Sequence, residues 1–212
     1  MLDLYQYERN LNEQGINVIA GVDEVGRGPL IGNVVAACVV LPVGFKLDGL
    51  TDSKKLSEKK RDEYYEFICK EALAIGIGRV SEKVIDEVNI YQATKMAMEM
   101  AIREAQKKAN TEHVLIDAMP ISIDIPTTSI IKGDAKSITI AAASVVAKVI
   151  RDKEMYELDK IYPMYELGKN KGYGTKKHLQ AIEKYGITKY HRLTYAPVAK
   201  FKDKINEIDK NM

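Results

Sequence analysis

The chain has 212 residues, 46% of them hydrophobic and 29% charged, and its 32 basic and 30 acidic side chains leave a net charge of +2. That length is enough for one sizeable core, and so even a charge balance points to no partner by itself. Two cysteines without a CxxC spacing exclude a disulfide scaffold, while the longest uncharged run, residues 28–45, is broken by Pro and Gly and excludes a membrane span.

The opening MLDLYQYERN has no basic n-region and no apolar stretch, so no signal peptide is expected and a cytoplasmic location is. Residues 2–13 predict a short, weakly amphipathic helix. Val18 to Val22 is an apolar strand with Asp23 and Glu24 at its far end. The turn Gly26-Arg27-Gly28-Pro29 follows, then a second, Val-rich strand up to Leu41. Gly26, Gly28 and Gly32 have the look of a dinucleotide loop, but that loop needs a helix directly after it. A β-branched strand stands there instead.

Beyond Pro42, a loop to Leu56 carries Lys54 and Lys55, and Ser57 is expected to cap a charged helix running to about Ala72. Leu73 to Val80 reads as a third strand. A short helix near 82–87 precedes a longer one from Ile90 to Lys108, capped by Asn89 and apolar along Ile90, Ala93, Ala97, Met100, Ala101 and Ala105. His113 to Ile116 is a fourth strand ending on Asp117, and Thr127 to Ile131 a fifth. After the turn Lys132-Gly133-Asp134 comes a long helix, Ser137 to Ile161, whose first turns are apolar nearly all round and so predict burial against a sheet. Two short helices, near 175–185 and 198–209, complete the chain. Cys38 and Cys69 both read as reduced core or near-core thiols. The order of elements argues an α/β fold with a mixed sheet. Residues 1–165 are expected to form the main domain and 166–212 a helical region packed on it.

Four acids, Asp23, Glu24, Asp117 and Asp134, stand at strand ends or turns beside apolar segments. A carboxylate there is costly unless hydrogen-bonded, paired or bound to metal. Asp134 also suits a helix cap and Asp117 a turn start. The neighbours Asp23 and Glu24 repel each other unless a cation joins them. An all-oxygen site suits Mg²⁺ or Mn²⁺ and not Zn²⁺, and the three histidines, His113, His178 and His191, lack metal-ligand spacing. Successive strand residues point to opposite faces. Either the strand twists or bulges before Gly26, or one of the two acids offers its backbone carbonyl; Asp23 is expected as the central ligand and Glu24 as a peripheral one.

From Lys169 to Lys202 the chain holds eight Lys and one Arg against the single acid Glu183, with Tyr173, Tyr185, Tyr190, Tyr195 and Phe201 interleaved. Cations mixed with aromatics suit a phosphate backbone and its sugars or bases; a solvated basic tail is the plainer alternative.

The stretches GVDEVGRGPLIGNVVAA, TDSKKLS, NIYQAT, LIDA, GDAKSITIAAASVVAKVIRD and NKGYGTKKH, in that order between Ile19 and Val198, resemble ribonuclease HII. The resemblance implies a ribonuclease H-like fold. It also implies two-metal hydrolysis, with Mg²⁺ or Mn²⁺, of RNA in RNA–DNA hybrids and of duplex DNA 5′ of embedded ribonucleotides, leaving a 5′-phosphate and a 3′-hydroxyl. It places the catalytic and metal-binding carboxylates on Asp23, Glu24, Asp117 and Asp134, the contact to the ribose 2′-OH on Gly26, Arg27 and Gly28, and sugar packing on Tyr173. The chemistry agrees: a two-metal displacement needs a carboxylate cluster and no covalent nucleophile, and the 2′-OH is the group that separates RNA from DNA. Lys54, Lys55, Lys148 and Arg151 are candidate phosphate contacts, though Lys148 and Arg151 equally suit solvated or salt-bridging helix positions.

Two stretches depart from the family pattern. His191-Arg192-Leu193-Thr194-Tyr195 alters an HRRSF-like segment, and Tyr91 replaces an aliphatic residue. Gly-Arg-Gly and the short N-terminal extension separate the chain from ribonuclease HIII, and the extension looks bacterial. No sliding-clamp peptide is recognised in the tail, and a monomer is expected. The competing expectation is a non-catalytic nucleic-acid-binding module, indifferent to divalent ions and weakened only by salt.

Overall fold

The structure is a computed structural model and describes residues 3–50, 53 and 56–210. Five strands, β1 (Ile19–Val25), β2 (Val34–Val40), β3 (Ala74–Val80), β4 (His113–Asp117) and β5 (Thr127–Ile130), form one sheet in the order β3-β2-β1-β4-β5. β1 runs antiparallel to β2 and parallel to β4, which is parallel to β5. The expected mixed α/β sheet is therefore the observed one. β2 is buried at all seven positions, which is why it reads as an unbroken Val-rich run and not as an alternation. Burial there pushes the Cys38 thiol up to about 12.

The helices are α1 (Gln6–Asn12), α2 (Glu58–Glu71), α3 (Glu82–Gln106), α4 (Ile138–Ile161), α5 (Leu167–Asn170), α6 (Lys176–Tyr185), α7 (Ala196–Ala199) and α8 (Glu207–Lys210). Ser57 caps α2 by accepting from the Lys60 N–H at 3.3 Å. Cys69 is exposed, contrary to expectation. The buried residues of α2 are Tyr64 and Ile68, and the position after Ile68 lies about 100° round the helix from that stripe. α3 is interrupted at Asn89, whose φ of 72° and ψ of 163° are not helical. Its side-chain oxygen accepts from the N–H groups of Tyr91 and Gln92 at 3.0 and 3.1 Å, so Asn89 caps the second segment as its sequence position suggested. Among the described residues no helix is long and apolar enough to cross a membrane.

The helix expected over 198–209 is instead α7 and α8 with a turn between them. Backbone hydrogen bonds explain the break. The Ile187 N–H donates to the Lys204 carbonyl at 2.7 Å, and the Asn206 N–H donates to the Ile187 carbonyl at 2.8 Å. Those groups are committed to a short parallel bridge and cannot continue a helix.

The chain folds into two compact units that are not sequential halves. One comprises residues 1–25, 35–79 and 94–149 and carries the sheet; the other comprises 26–34, 80–93 and 150–212. In the sheet unit, Glu8 on α1 closes the start of α4 from 129 residues away. One of its carboxylate oxygens accepts from the Ser137 hydroxyl at 2.6 Å, the Thr139 hydroxyl at 2.8 Å and the Thr139 N–H at 3.1 Å. A carboxylate at a helix N-terminus satisfies orphan N–H groups and matches the helix dipole. Glu8 is 9% exposed, so its loss strands those donors. Glu8→Ala is expected to lower unfolding free energy by about 2 kcal/mol in urea denaturation, as for a buried charge-assisted hydrogen-bond set.

The second unit has its own core, with Leu30, Ile31, Met155, Tyr162, Tyr165, Leu167, Ile182 and Val198 inside it. Tyr190, Tyr195 and Phe201 pack against this core. Of the five aromatics expected among the cations for nucleic-acid contact, only Tyr173 and Tyr185 are exposed. The other three belong to packing. Part of the basic charge is also answered locally, since Lys169 and Lys177 pair with Glu166 at 3.3 and 3.2 Å.

Candidate active site

β1 carries its two acids just before its last residue, Val25, and β4 beside it ends on Asp117. The parallel ladder runs from Ile19↔His113 to Val22↔Ile116, so Asp23 and Asp117 occupy the next positions of the same register. The carboxyl ends of adjacent parallel strands are where α/β sheets place ligands. Asp23, Glu24 and Asp117 each offer a carboxylate oxygen, and these oxygens lie within 4.8 Å of one another. The bulge or backbone-carbonyl alternatives are not needed. The β1–β2 register continues one for one through Val25↔Val35, and Glu24 joins the group by its side chain.

Asp23 is buried, Glu24 and Asp117 half-buried. Burial, then the charge of Glu24, then that of Asp117 raise the Asp23 carboxyl well above its usual range. The Ser144 hydroxyl and the Glu24 N–H, the latter at 2.7 Å, hydrogen-bond to Asp23 and oppose the rise. Ser144 in turn lies 2.9 Å from the Ser53 hydroxyl. Asp117 is fixed by the Gly133 N–H at 2.7 Å. Asp134 follows in the 3-10 turn Gly133–Ala135, half-buried and outside the triplet. Three crowded carboxylates with no imidazole or thiolate among them fit a hard divalent cation such as Mg²⁺ or Mn²⁺.

In the other unit, residues 26–33 form a loop held from inside by two arginines. Arg151, expected as a phosphate contact, is instead 1% exposed. It donates to the carbonyls of Asn33 (3.2 Å), Ile31 (3.2 Å) and Lys171 (2.9 Å), and burial pushes its ionisation down to about 10. Gly26, at a φ of 94°, leaves room for it: a Cβ there would sit 2.2 Å from the Arg151 Nε. Arg192 is fully buried and donates to the carbonyls of Gly26, Arg27 and Gly32. Lys148 is half-buried on α4. Lys54 and Lys55 lie outside the described residues.

Tyr173 is 45% exposed, and its ring edge flanks Gly28, where a Cβ would lie 3.2 Å from the Tyr173 Cε1. Its carbonyl is anchored by a buried histidine relay. The Thr188 N–H donates to the His191 Nδ1 at 2.9 Å, which leaves the His191 Nε2–H to donate to the His178 Nε2 at 3.3 Å. The His178 Nδ1–H then donates to the Tyr173 carbonyl at 2.9 Å. Sequence reasoning missed Ser53, Ser144, the two histidines and the buried role of Arg192. The altered His-Arg-Leu-Thr-Tyr stretch was the one signal that could have drawn attention to Arg192.

A mixed five-stranded sheet with an all-oxygen carboxylate cluster at the ends of its central strands defines the class of ribonuclease H-like, metal-dependent nucleases. The solved ribonuclease H2 of Pyrococcus horikoshii OT3 shares the fold, with a TM-score of 0.71 at 23% identity over 87% of this chain and 97% of that one. The ribonuclease HII family model matches residues 20–198. Curated relatives named ribonuclease HII are 58% identical in Bacillus cytotoxicus (93% of this chain, 75% of that one) and 56% in Bacillus subtilis (95% and 78%). The chain belongs to the ribonuclease HII family and is a metal-dependent endoribonuclease.

Proposed function

We propose that this chain cuts the RNA strand of RNA–DNA hybrids and nicks duplex DNA on the 5′ side of embedded ribonucleotides. The products are a 5′-phosphate and a 3′-hydroxyl. The observation that carries this reading is the convergence of Asp23, Glu24 and Asp117 at two adjacent strand ends, in a chain of this family. Asp23, as the buried member, is the central ligand. Glu24 and Asp117 complete the cluster, and Asp134 joins them from the neighbouring turn. Bound Mg²⁺ or Mn²⁺ supplies activation of the attacking water and charge to stabilise the leaving oxygen. The Ser144 hydroxyl and the Gly133 N–H hold Asp23 and Asp117 in place for that role.

Gly26, Arg27 and Gly28 read the ribose 2′-OH by close backbone approach, and Tyr173 packs on the sugar at the RNA-to-DNA junction. Lys54, Lys55 and Lys148 contact phosphates; Arg151 does not, because its donors are already committed to carbonyls. The same reading makes the protein a cytoplasmic monomer.

The test is cleavage of a DNA duplex containing one ribonucleotide, beside an all-DNA control, with Mg²⁺, with Mn²⁺ and with chelator. A metal-dependent nick 5′ of the ribonucleotide, absent from the control, is expected. Cutting of a long hybrid only would remove the roles given to Gly26, Arg27, Gly28 and Tyr173, and cutting of neither would sink the reading.

A further inference from the structure

The Gly-Arg-Gly loop is gripped by two side chains from far along the chain. Arg192 is 0% exposed. Its Nη2 donates to the carbonyls of Gly26 at 2.7 Å and Gly32 at 2.8 Å, its Nε to Gly32 at 3.0 Å, and its Nη1 to Arg27 at 3.0 Å. Tyr195 adds a second grip. Its hydroxyl accepts from Nη1 at 3.0 Å and donates to the same Arg27 carbonyl at 2.5 Å. Burying a guanidinium is costly unless its donors are satisfied, and here the acceptors are three backbone carbonyls of the one loop together with the Tyr195 hydroxyl. An apolar side chain could pack beneath that loop, but it could not fix the rotation of individual peptide planes.

Planarity gives the arrangement its consequence. In a trans peptide the carbonyl and the following N–H point in opposite directions. With the Gly26 and Arg27 carbonyls turned inward to Arg192 and Tyr195, the N–H groups of Arg27 and Gly28 are turned the other way. Gly28 is also the residue that Tyr173 flanks. Carbonyls that accept from a cation polarise their peptides and make those same N–H groups stronger donors. A sugar hydroxyl, which accepts as well as donates, is a fitting partner for them.

We propose that Arg192 and Tyr195 are positioning residues for ribose recognition, orienting and polarising the Arg27 and Gly28 amides that meet the 2′-OH. This rests on the proposed function of the loop. It also gives the altered His191–Tyr195 stretch a role away from the substrate, behind the loop.

The test compares Tyr195→Phe and Arg192→Lys with wild type in three readouts. These are kcat/KM on the single-ribonucleotide duplex, affinity for the matching all-DNA duplex, and melting temperature. Misaligned donors are expected to lower kcat/KM by about 10-fold in Tyr195→Phe and about 100-fold in Arg192→Lys, the scale of an ångström-sized misplacement. All-DNA affinity stays unchanged and, in Tyr195→Phe at least, so does melting. Wild-type kcat/KM in both variants would overturn the proposal. So would a loss that tracks falling melting temperature and falling all-DNA affinity together, which is the mark of a purely structural role. A wild-type chain that cuts a long hybrid but not the single-ribonucleotide duplex, or cuts neither, removes the reading of the loop, and this inference goes with it.

Discussion

Asp23→Asn is expected to abolish cleavage and, in metal-free buffer at neutral pH, to raise the melting temperature. The activity loss follows from position. Asp23 is the buried member of the carboxylate triplet, and an amide keeps the shape but loses the charge that attracts a cation. A fall of at least about a thousandfold is expected, on the order of 4 kcal/mol of transition-state stabilisation. The stability gain follows from the same crowding. Burial and the charges of Glu24 and Asp117 hold the folded-state ionisation of Asp23 well above its ordinary value of 3.8. The folded protein therefore keeps this proton more tightly than the unfolded one. The contribution is fully present below about pH 4 and is lost as pH rises through the raised value.

Asparagine removes that dependence, so the variant gains on wild type as pH rises and the difference closes toward pH 4. The buried histidines act in the opposite sense: burial pushes His191 down to about 3, and His178 is lowered too. Their contribution is present above about 6.5 and is lost as pH falls. Because both proteins share the histidines, the difference between their melting curves reports the coupled carboxylate cluster around Asp23 and not the imidazoles. Adding Mn²⁺ is expected to reverse the order, raising the wild-type melting temperature by mass action and leaving the variant nearly unmoved. A variant that melts below wild type at pH 8 without metal would refute the crowding argument.

Three of the four expected carboxylates, Asp23, Glu24 and Asp117, were legible as a cluster because strand ends, turns and periodicity are local. Val18 to Val22 followed by two acids announces a strand with charge at its far end, and Asn89 before Ile90 announces a cap; the structure has the cap, and the strand carries both acids and runs one residue further, to Val25. What stayed hidden depends on partners far along the chain. Arg192 looks like any surface cation, and only the carbonyls of Gly26 and Gly32, 166 and 160 residues away, turn it into a buried one. Arg151 is the same case across 118 residues, at Asn33. Glu8 sits in the short, weakly amphipathic N-terminal helix with nothing local to mark it, yet it closes the start of α4. The same limit applies to residues 198–209, where the turn is set by pairing with Ile187. Composition could count the cations and aromatics between Lys169 and Lys202. It could not sort those that face solvent from those that build the second core.

Gly21→Ala is expected to be strongly destabilising, at a position that carries no chemistry. Gly21 lies in β1, two residues before Asp23 and therefore on the same face of the strand. The opening turn of α4 crosses that face at backbone contact. A Cβ on Gly21 would fall 2.1 Å from the Thr139 carbonyl carbon and 2.3 Å from the Ile140 nitrogen. Backbone cannot swing aside as a side chain can, so the helix must lift or the strand must shift. The sheet offers little slack, because β1 is paired on both sides, to β2 and to β4. Overpacking a rigid core costs about 1–3 kcal/mol and more where backbone is the obstacle, so a loss above roughly 3 kcal/mol is expected in urea denaturation. Whatever fraction still folds should also lose activity, because the same helix carries Ser144, which hydrogen-bonds to Asp23. Lifting α4 moves that hydroxyl together with Thr139. Full activity per folded molecule in Gly21→Ala would show that the helix can shift without disturbing the cluster, and would break the link between this packing contact and Asp23.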